Sequence, residues 1–406
     1  MIKVAIGSAD NYRLETIKNA LDKLFISLGY DPDNPFKDII APGQQVFIKP
    51  NWVASRWRES CDHRDCLYSV ITHPAVIEAV ADKVAVALRG KGKIIIADNP
   101  SIDADFAELM EFTGVQRLKE KYDVACEIYD LRPLACDDLK NYGKKKLMVS
   151  QSGDPNGMVE VNLGKNSMLY GMDPSRFRGV FDEREETVAA HSGENQLYTF
   201  SGSLFNSDVY ISIPKLKTHQ KVGVTLNLKG LVGAMSLKNQ LVHWQVGYPE
   251  IGGDEYPDKV AYEAGQKAKV THRGAWPGND TIWRMVVDLY KALRTKERKY
   301  FTVIDGIMAG EGKGPFCPTA KYANTLIASE DLLAADITAA RYMGYSPEKI
   351  KYLGHFIQTG AIGMDDIQVI KDGAALRNFF AANTRYLNFY VPTLWQALKY
   401  NVENAN

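Results

Sequence analysis

The stretch "ISIPKLKTHQKVGVTLNLKG", residues 211 to 230, opens as a buried strand and then sets down Lys215, Lys217, His219, Lys221 and Lys229. If the chain stays extended past Pro214, alternate side chains share one side, so Lys215, Lys217, His219 and Lys221 converge. Ammonium groups so close repel one another, and a bound carboxylate or phosphate relieves that repulsion while keeping His219 protonated. The chemistry this spacing points to is capture of a small anion. Lys217 and His219 are then catalytic candidates for acid–base work, and Lys215 and Lys229 are substrate-binding candidates. A solvated loop of ordinary surface lysines is the plainer alternative. "GVTLNLKGLVGAMSLKN" continues with Gly223, Gly230, Gly233 and Lys238, a backbone able to approach a ligand closely or simply to turn into a short helix.

A second constellation is "VIDGIMAGEGKGP", read as a strand ending at Asp305 and a Gly-rich turn around Glu311, Gly312 and Lys313. A phosphate loop of the Walker type needs Gly five residues before its Gly-Lys pair, where Ile307 stands, and Ser or Thr after it, where Gly314 stands. A standard nucleotide loop is therefore excluded. What remains is a turn that delivers catalytic Asp305, with Glu311, to a substrate or a divalent metal and Gly312 to the substrate, or a merely structural turn.

Two more strand ends carry polar groups: Asp98 in "IIIADNP", a catalytic candidate, and the substrate-binding candidates Lys49 and Asn51 in "IKPNW". Open α/β sheets place ligands beyond the carboxyl ends of their strands, so three such ends supplying polar groups mark one edge as an active site. Taken singly, Asp98 could cap the turn at Asn99 and Pro100, and Lys49 could pair with a carboxylate. His73, before Pro74 at a helix start where Thr72 can cap, is a further ligand contact. Asp336 shares a helix face with Leu332 and Ala340, so it needs a partner, either a Lys or Arg or a metal. In "CDHRDC", Cys61, His63 and Cys66 could hold a soft metal, although the spacing is not that of a zinc site; redox-sensitive thiols on a mobile loop are the alternative.

These residues need a scaffold, and the pattern supplies one. Apolar runs of strand length alternate with segments of helical period, which predicts an α/β fold with a mainly parallel sheet and helices on both faces. The N-terminal α/β part is read as 1–135, an irregular insertion as 136–200, a second α/β part as 201–375 with a long lid-like loop at 245–280, and an aromatic helical tail as 376–406. Among the 406 residues, 49 Lys and Arg balance 49 Asp and Glu, so no overall field draws the chain to nucleic acid, and anion recognition must be local. Few cysteines, a strand-like start and no apolar run of membrane length lead to the expectation of a cytoplasmic protein without a membrane span.

Taken in order, "IKPNW", "THPAVIEAV", "IIIADNP", "SIPKLKTHQKVGVTLNLKGLVG", "VIDGIMAGEGKGP" and "ASEDLLAADITAARYMGY" resemble the motifs of the domain-of-unknown-function family numbered 362 over roughly residues 3 to 372, omitting the middle insertion and the aromatic tail. The resemblance marks motif positions, among them Lys49, His73, Asp98, Lys215, Lys217, His219, Lys229, Asp305, Asp331 and Asp336, without assigning roles. Many relatives carry a ferredoxin-like segment; this chain has no repeated C-x-x-C, so no iron–sulfur cluster is expected. More distantly, "SDVYISIPKLKTH" with "VTLNLKG" resembles a segment of nickel-pincer lactate racemases, which implies acid–base or hydride chemistry at a hydroxylated carbon.

The leading expectation is a cytoplasmic enzyme acting on a small carboxylate, phosphate or sugar phosphate, an isomerase or epimerase or a group-transfer enzyme, with a divalent metal as candidate cofactor. Its alternatives are a redox or metal-handling protein built on Cys61, His63 and Cys66, and a non-catalytic binding or assembly subunit that forms a homo-oligomer through its aromatic tail.

Overall fold

The computed structural model describes residues 1–57, 66–381, 384 and 386–399. Its main sheet has eleven strands: β1 (Ile2–Ser8), β2 (Gln45–Pro50), β3 (Lys93–Asp98), β4 (Ala125–Asp130), β5 (Val209–Ile213), β6 (Lys215–His219), β7 (Gly223–Val224), β8 (Lys299–Glu311), β9 (Thr319–Ser329), β10 (Ile367–Lys371) and β11 (Ala374–Ala375). They lie in the order β11-β10-β1-β9-β8-β5-β2-β3-β4, with β6 pairing to β8 and β7. The run from β8 through β5, β2 and β3 to β4 is parallel, whereas β9 pairs antiparallel with both β1 and β8.

The parallel strands are apolar on both faces, so both must be covered. Val46, Ile48, Ile94 and Ile96 point to one face and pack with α1 (Leu14–Leu28) and α2 (Pro74–Leu88). Phe47, Ile95 and Tyr210 point to the other, where α3 (Leu226–Gly230), α4 (Ile282–Leu293) and α5 (Leu332–Tyr342) lie. This is the α/β arrangement expected. Strands from 1–135 and from 201–375 share one sheet, and 136–200 forms only short pieces. Among the described residues no helix is long and apolar enough to cross a membrane.

Three local expectations give way to tertiary contacts. The strand expected to stop at Asp305 runs on to Glu311, through a register shift between Gly306 and Met308, because β9 continues to pair along it and β6 pairs with it at Gly310. The loop at 245–280 contains a ten-residue helix, Lys259–Ala268, capped by Asp258. The tail is not helical where it is described: beyond Ala375 its regular structure is one 3-10 turn, Gln396–Leu398. It lies against its own body, burying Phe379, Phe389, Trp395 and Leu398 in the core shared by α4 and α5.

Candidate anion-binding cleft

Beyond the carboxyl ends of β2, β3 and β5, roofed by residues of the 136–280 region, is a cleft of about 250 Å³. Its lining includes Lys49, Asn51, Asp98, Lys217, His219, Lys221, Lys229, Lys238, His243, Trp244 and Arg273. That set holds six cationic side chains and one carboxylate, Asp98.

The carboxylate is already committed. Lys49 Nζ sits 2.8 Å from Asp98 Oδ1, which also accepts the Asn99 N–H, while Asp98 Oδ2 accepts the Trp52 N–H at 2.6 Å. With those three donors Asp98 serves as the counterion of Lys49 and an anchor for the 51–52 turn. Gly233 presses its backbone onto this pair; a Cβ there would stand 2.0 Å from Asp98 Oδ1. Asn51 is fixed beside it, donating through Nδ2 to the Val70 carbonyl at 2.6 Å.

The remaining cations lack such neutralisation. Lys217 is fully buried, and its Nζ donates to the carbonyls of Val70 and Pro315 at 2.8 and 3.1 Å. Burial, reinforced by Lys229 and Lys215, drives its pKa well below the usual lysine value. Burial and neighbouring cations likewise lower Lys221 to about 7, with Arg273 the largest charged contributor, and Lys229 to about 8, through Lys49. Lys238 falls to about 7 through burial, partly offset by Asp98; its Nζ donates to the carbonyls of Asn99 and Pro100. Lys221 also lies over the Trp244 ring, 4.7 Å from its centroid.

The two histidines are held in opposite tautomers. His219 Nδ1 accepts the Lys221 N–H at 3.1 Å, so its neutral ring carries the proton on Nε2. His243 Nδ1 lies 2.7 Å from the Leu241 carbonyl, which can only accept, so the proton sits on Nδ1 and Nε2 keeps its lone pair. Burial and the surrounding lysines push both pKa values well below the ordinary histidine value, so both rings are neutral at pH 7. The protonated His219 is expected only with an anion bound; in the ligand-free cleft burial and the neighbouring lysines favour the neutral ring.

Several sequence candidates go elsewhere. β6 pairs Lys215 with Asp305 but Lys217 with Gly310, a break in register beyond which Lys217 and His219 face the cleft, whereas Lys215 lies outside its lining. Lys215 Nζ meets Asp305 Oδ2 at 2.7 Å, both side chains wholly buried, and Asp305 also accepts from Tyr12 Oη and the His73 N–H. Asp305 is thus a fully occupied interior anion. Glu311 pairs with Lys321 at 3.1 Å and accepts the Tyr390 N–H, so it does not join Asp305 in a metal site. Gly312, at φ +74°, bonds to Tyr390 and Thr218 outside the cleft. His73, not Thr72, caps α2, stacks on Tyr12 at 3.8 Å, and has its pKa lowered to about 4 by burial. Cys61 and His63 lie outside the described residues; Cys66 is an exposed free thiol. Among the described residues no three His, Cys, Asp or Glu side chains gather as metal ligands.

Asp336 does find a partner, but it is neither a cation nor a metal. It accepts the backbone N–H groups of Asn227 and Leu228 and the Asn227 amide at 2.8–2.9 Å, pinning the start of α3, where Leu226 adopts φ +50°. That anchor sets the short helix from which Lys229 enters the cleft. Asp336→Ala should leave three buried donors unpaired and cost about 2–4 kcal/mol, read as a lower urea midpoint with an unchanged slope. An unchanged midpoint would show that α3 holds itself.

His243, Trp244 and Arg273 are absent from the sequence candidates. Their signal is faint: "LVHW" precedes the Gly-, Trp- and Pro-rich lid-like loop and "THRG" lies within it, and nothing in their spacing relates them to Lys217.

The family model described as Domain of unknown function (DUF362) matches residues 46–152 and 135–341. The thylakoid-associated protein sll1697 of Synechocystis sp. is 22% identical over 351 residues, 86% of this chain and 77% of that protein. Among solved structures, the lactate racemase apoprotein from Thermoanaerobacterium thermosaccharolyticum aligns with a TM-score of 0.34 and 13% identity over 85% of this chain, which spans 57% of that one. A structural likeness that slight has no bearing on the chemistry of the cleft.

Proposed function

Because this chain belongs to the DUF362 family, whose description names no reaction, its chemistry must be read from the cleft, and we propose that it is an enzyme that binds a small anionic metabolite there and moves a proton on it. The observation that carries this reading is the imbalance of residue types: six basic side chains line the cleft, and its one carboxylate is taken by one of them, Lys49. A carboxylate or phosphate supplies the missing counter-charge.

The histidines extend the reading to a reaction type. His243, its Nδ1–H given to a carbonyl, has the orientation and the free lone pair of a general base. His219, with Nε2–H available, and Lys217 supply donors for an oxygen that gains negative charge as the proton leaves. Proton abstraction beside a carboxylate or carbonyl, as in an isomerase or epimerase, needs this division of labour. A cytoplasmic setting suits a metabolite enzyme of this kind.

The test is calorimetry with sulfate, a dianion that does not titrate between pH 6 and 9. Binding should raise the depressed lysine pKa values, so complex formation takes up protons and affinity falls as pH rises through about 7 to 8. The heat should depend on the buffer's own ionisation enthalpy. Sulfate affinity independent of pH, or no binding at all, would defeat the reading.

A further inference from the structure

Of the six basic side chains that line the cleft, five have a fixed partner. Lys49 is paired with Asp98, while Lys217 and Lys238 each donate to two backbone carbonyls. Lys221 lies over the Trp244 ring, and the Arg273 guanidinium over that of Tyr142 at 5.1 Å. Lys229 is the exception: among the described residues no hydrogen bond, ion pair or ring contact engages its Nζ.

An ammonium has three N–H groups to satisfy, and this one would stand partly buried with none of them bonded to the described protein. It would also stand among like charges. Lys229 bears on Lys217, His219, Lys221, Lys238 and His243, lowering the pKa of each, and is itself pressed by Lys49. The amine form escapes both penalties. Burial and Lys49 accordingly push its pKa down to about 8, which leaves an unprotonated share near neutrality that a surface lysine, at about 10.4, does not have. Its place is fixed as well, because Asp336 holds the N–H groups of Asn227 and Leu228, the two residues before it.

A desolvated lysine crowded by a second cation has the setting of an amine that forms Schiff bases. We infer that Lys229 adds to the carbonyl of the bound anion, and that the ligand is therefore an oxo acid or another anion carrying a ketone or aldehyde. This rests on the anionic reading of the cleft and adds the reacting group on each side. The Nζ lone pair bonds to the carbonyl carbon. The carbonyl oxygen takes one proton from that nitrogen and one from solvent and leaves as water, and the C–O bond gives way to a cationic C=N. That cation draws electrons from the neighbouring C–H, whose proton goes to Nε2 of His243. Return of a proton to carbon and addition of water then release the amine, with no oxidant or reductant consumed. The remaining basic side chains serve the carboxylate.

The test treats the wild-type chain with pyruvate, reduces any C=N bond with borohydride and locates the adduct by peptide mass mapping. One adduct is expected, on Lys229, with labelling that rises with pH through about 8, then levels, and is suppressed by excess sulfate. Acetone, which has the ketone without the carboxylate, should label Lys229 at least about tenfold more slowly. Lys229→Arg keeps the positive charge and removes the nucleophile, so it should lose the adduct and still bind sulfate. Should that variant fail to fold, the wild-type mapping and pH profile decide alone. Sulfate binding with no adduct on Lys229, with labelling directed to Lys221 or spread over surface lysines, or with labelling indifferent to sulfate, would overturn this inference and spare the anion site. Absence of sulfate binding would overturn both.

Discussion

Lys217→Met should weaken sulfate binding about thirtyfold or more and leave the ligand-free protein at least as stable as the wild type. The two effects come from one cause. Lys217 is completely buried among neutral carbonyls, so in the free protein its charge is a liability and its pKa is driven well down. An apolar chain of similar length removes that liability. Removing one partner of a buried charged contact costs about 2–5 kcal/mol of binding, so the dissociation constant should rise about thirtyfold or more. The pH dependence gives an independent check. A lysine whose folded pKa lies below its unfolded value of about 10.4 binds fewer protons folded than unfolded between the two, so stability rises with pH across that window. Wild-type stability should therefore climb from neutrality toward pH 10, and Lys217→Met should flatten the climb. Thermal melts across pH, with and without sulfate, measure all of this; a variant that melts lower and still binds sulfate would place Lys217 in the scaffold alone.

The second large effect concerns the tail. Trp395 is 4% exposed, donates from Nε1 to the Gln220 carbonyl at 2.7 Å, and with Leu398 packs on Gly223. Gln220 and Gly223 bracket Lys221 and follow His219, so the tail clamps the turn that carries Lys221 into the cleft. Trp395→Ala should cost about 3–5 kcal/mol in urea unfolding and weaken sulfate binding as well. Trp395→Phe, which keeps an aromatic ring and loses the hydrogen bond, should recover most of the stability but not all of the affinity. Equal stability in all three proteins would mean that the tail only rests on the surface. The same contacts bear on the expected role of the tail in assembly: its buried aromatics are spent within this chain, and deletion after residue 380 should unfold the protein instead of releasing a partner.

The sequence was most informative where local physics decides the outcome. A short β-branched run such as Val209–Ile213, with only Ser212 polar, fits a strand covered on both faces, and an amphipathic segment such as Ile282–Leu293 fits a helix lying on it. Parallel strands then place Lys49 and Asp98 at neighbouring carboxyl ends, which is why their meeting could be anticipated. Alternation along an extended strand likewise put Lys217 and His219 on one side.

Alternation fails when the partner strand breaks register, and no local signal announces that. Where β6 meets β8 out of register, Lys215 pairs with Asp305, and the expected set is reduced to Lys217, His219 and Lys221. The same limit hid His243 and Arg273, which come from a loop far along the chain and reach the cleft only because that loop folds over it. Whether a lysine is a solvated charge or an unpaired buried one depends on what covers it. Residue type and spacing therefore determined the fold class and the basic character of the cleft, whereas tertiary packing alone decided which basic side chains stay unneutralised, which histidine keeps its lone pair, and that Asp305 and Glu311 are taken by Lys215 and Lys321.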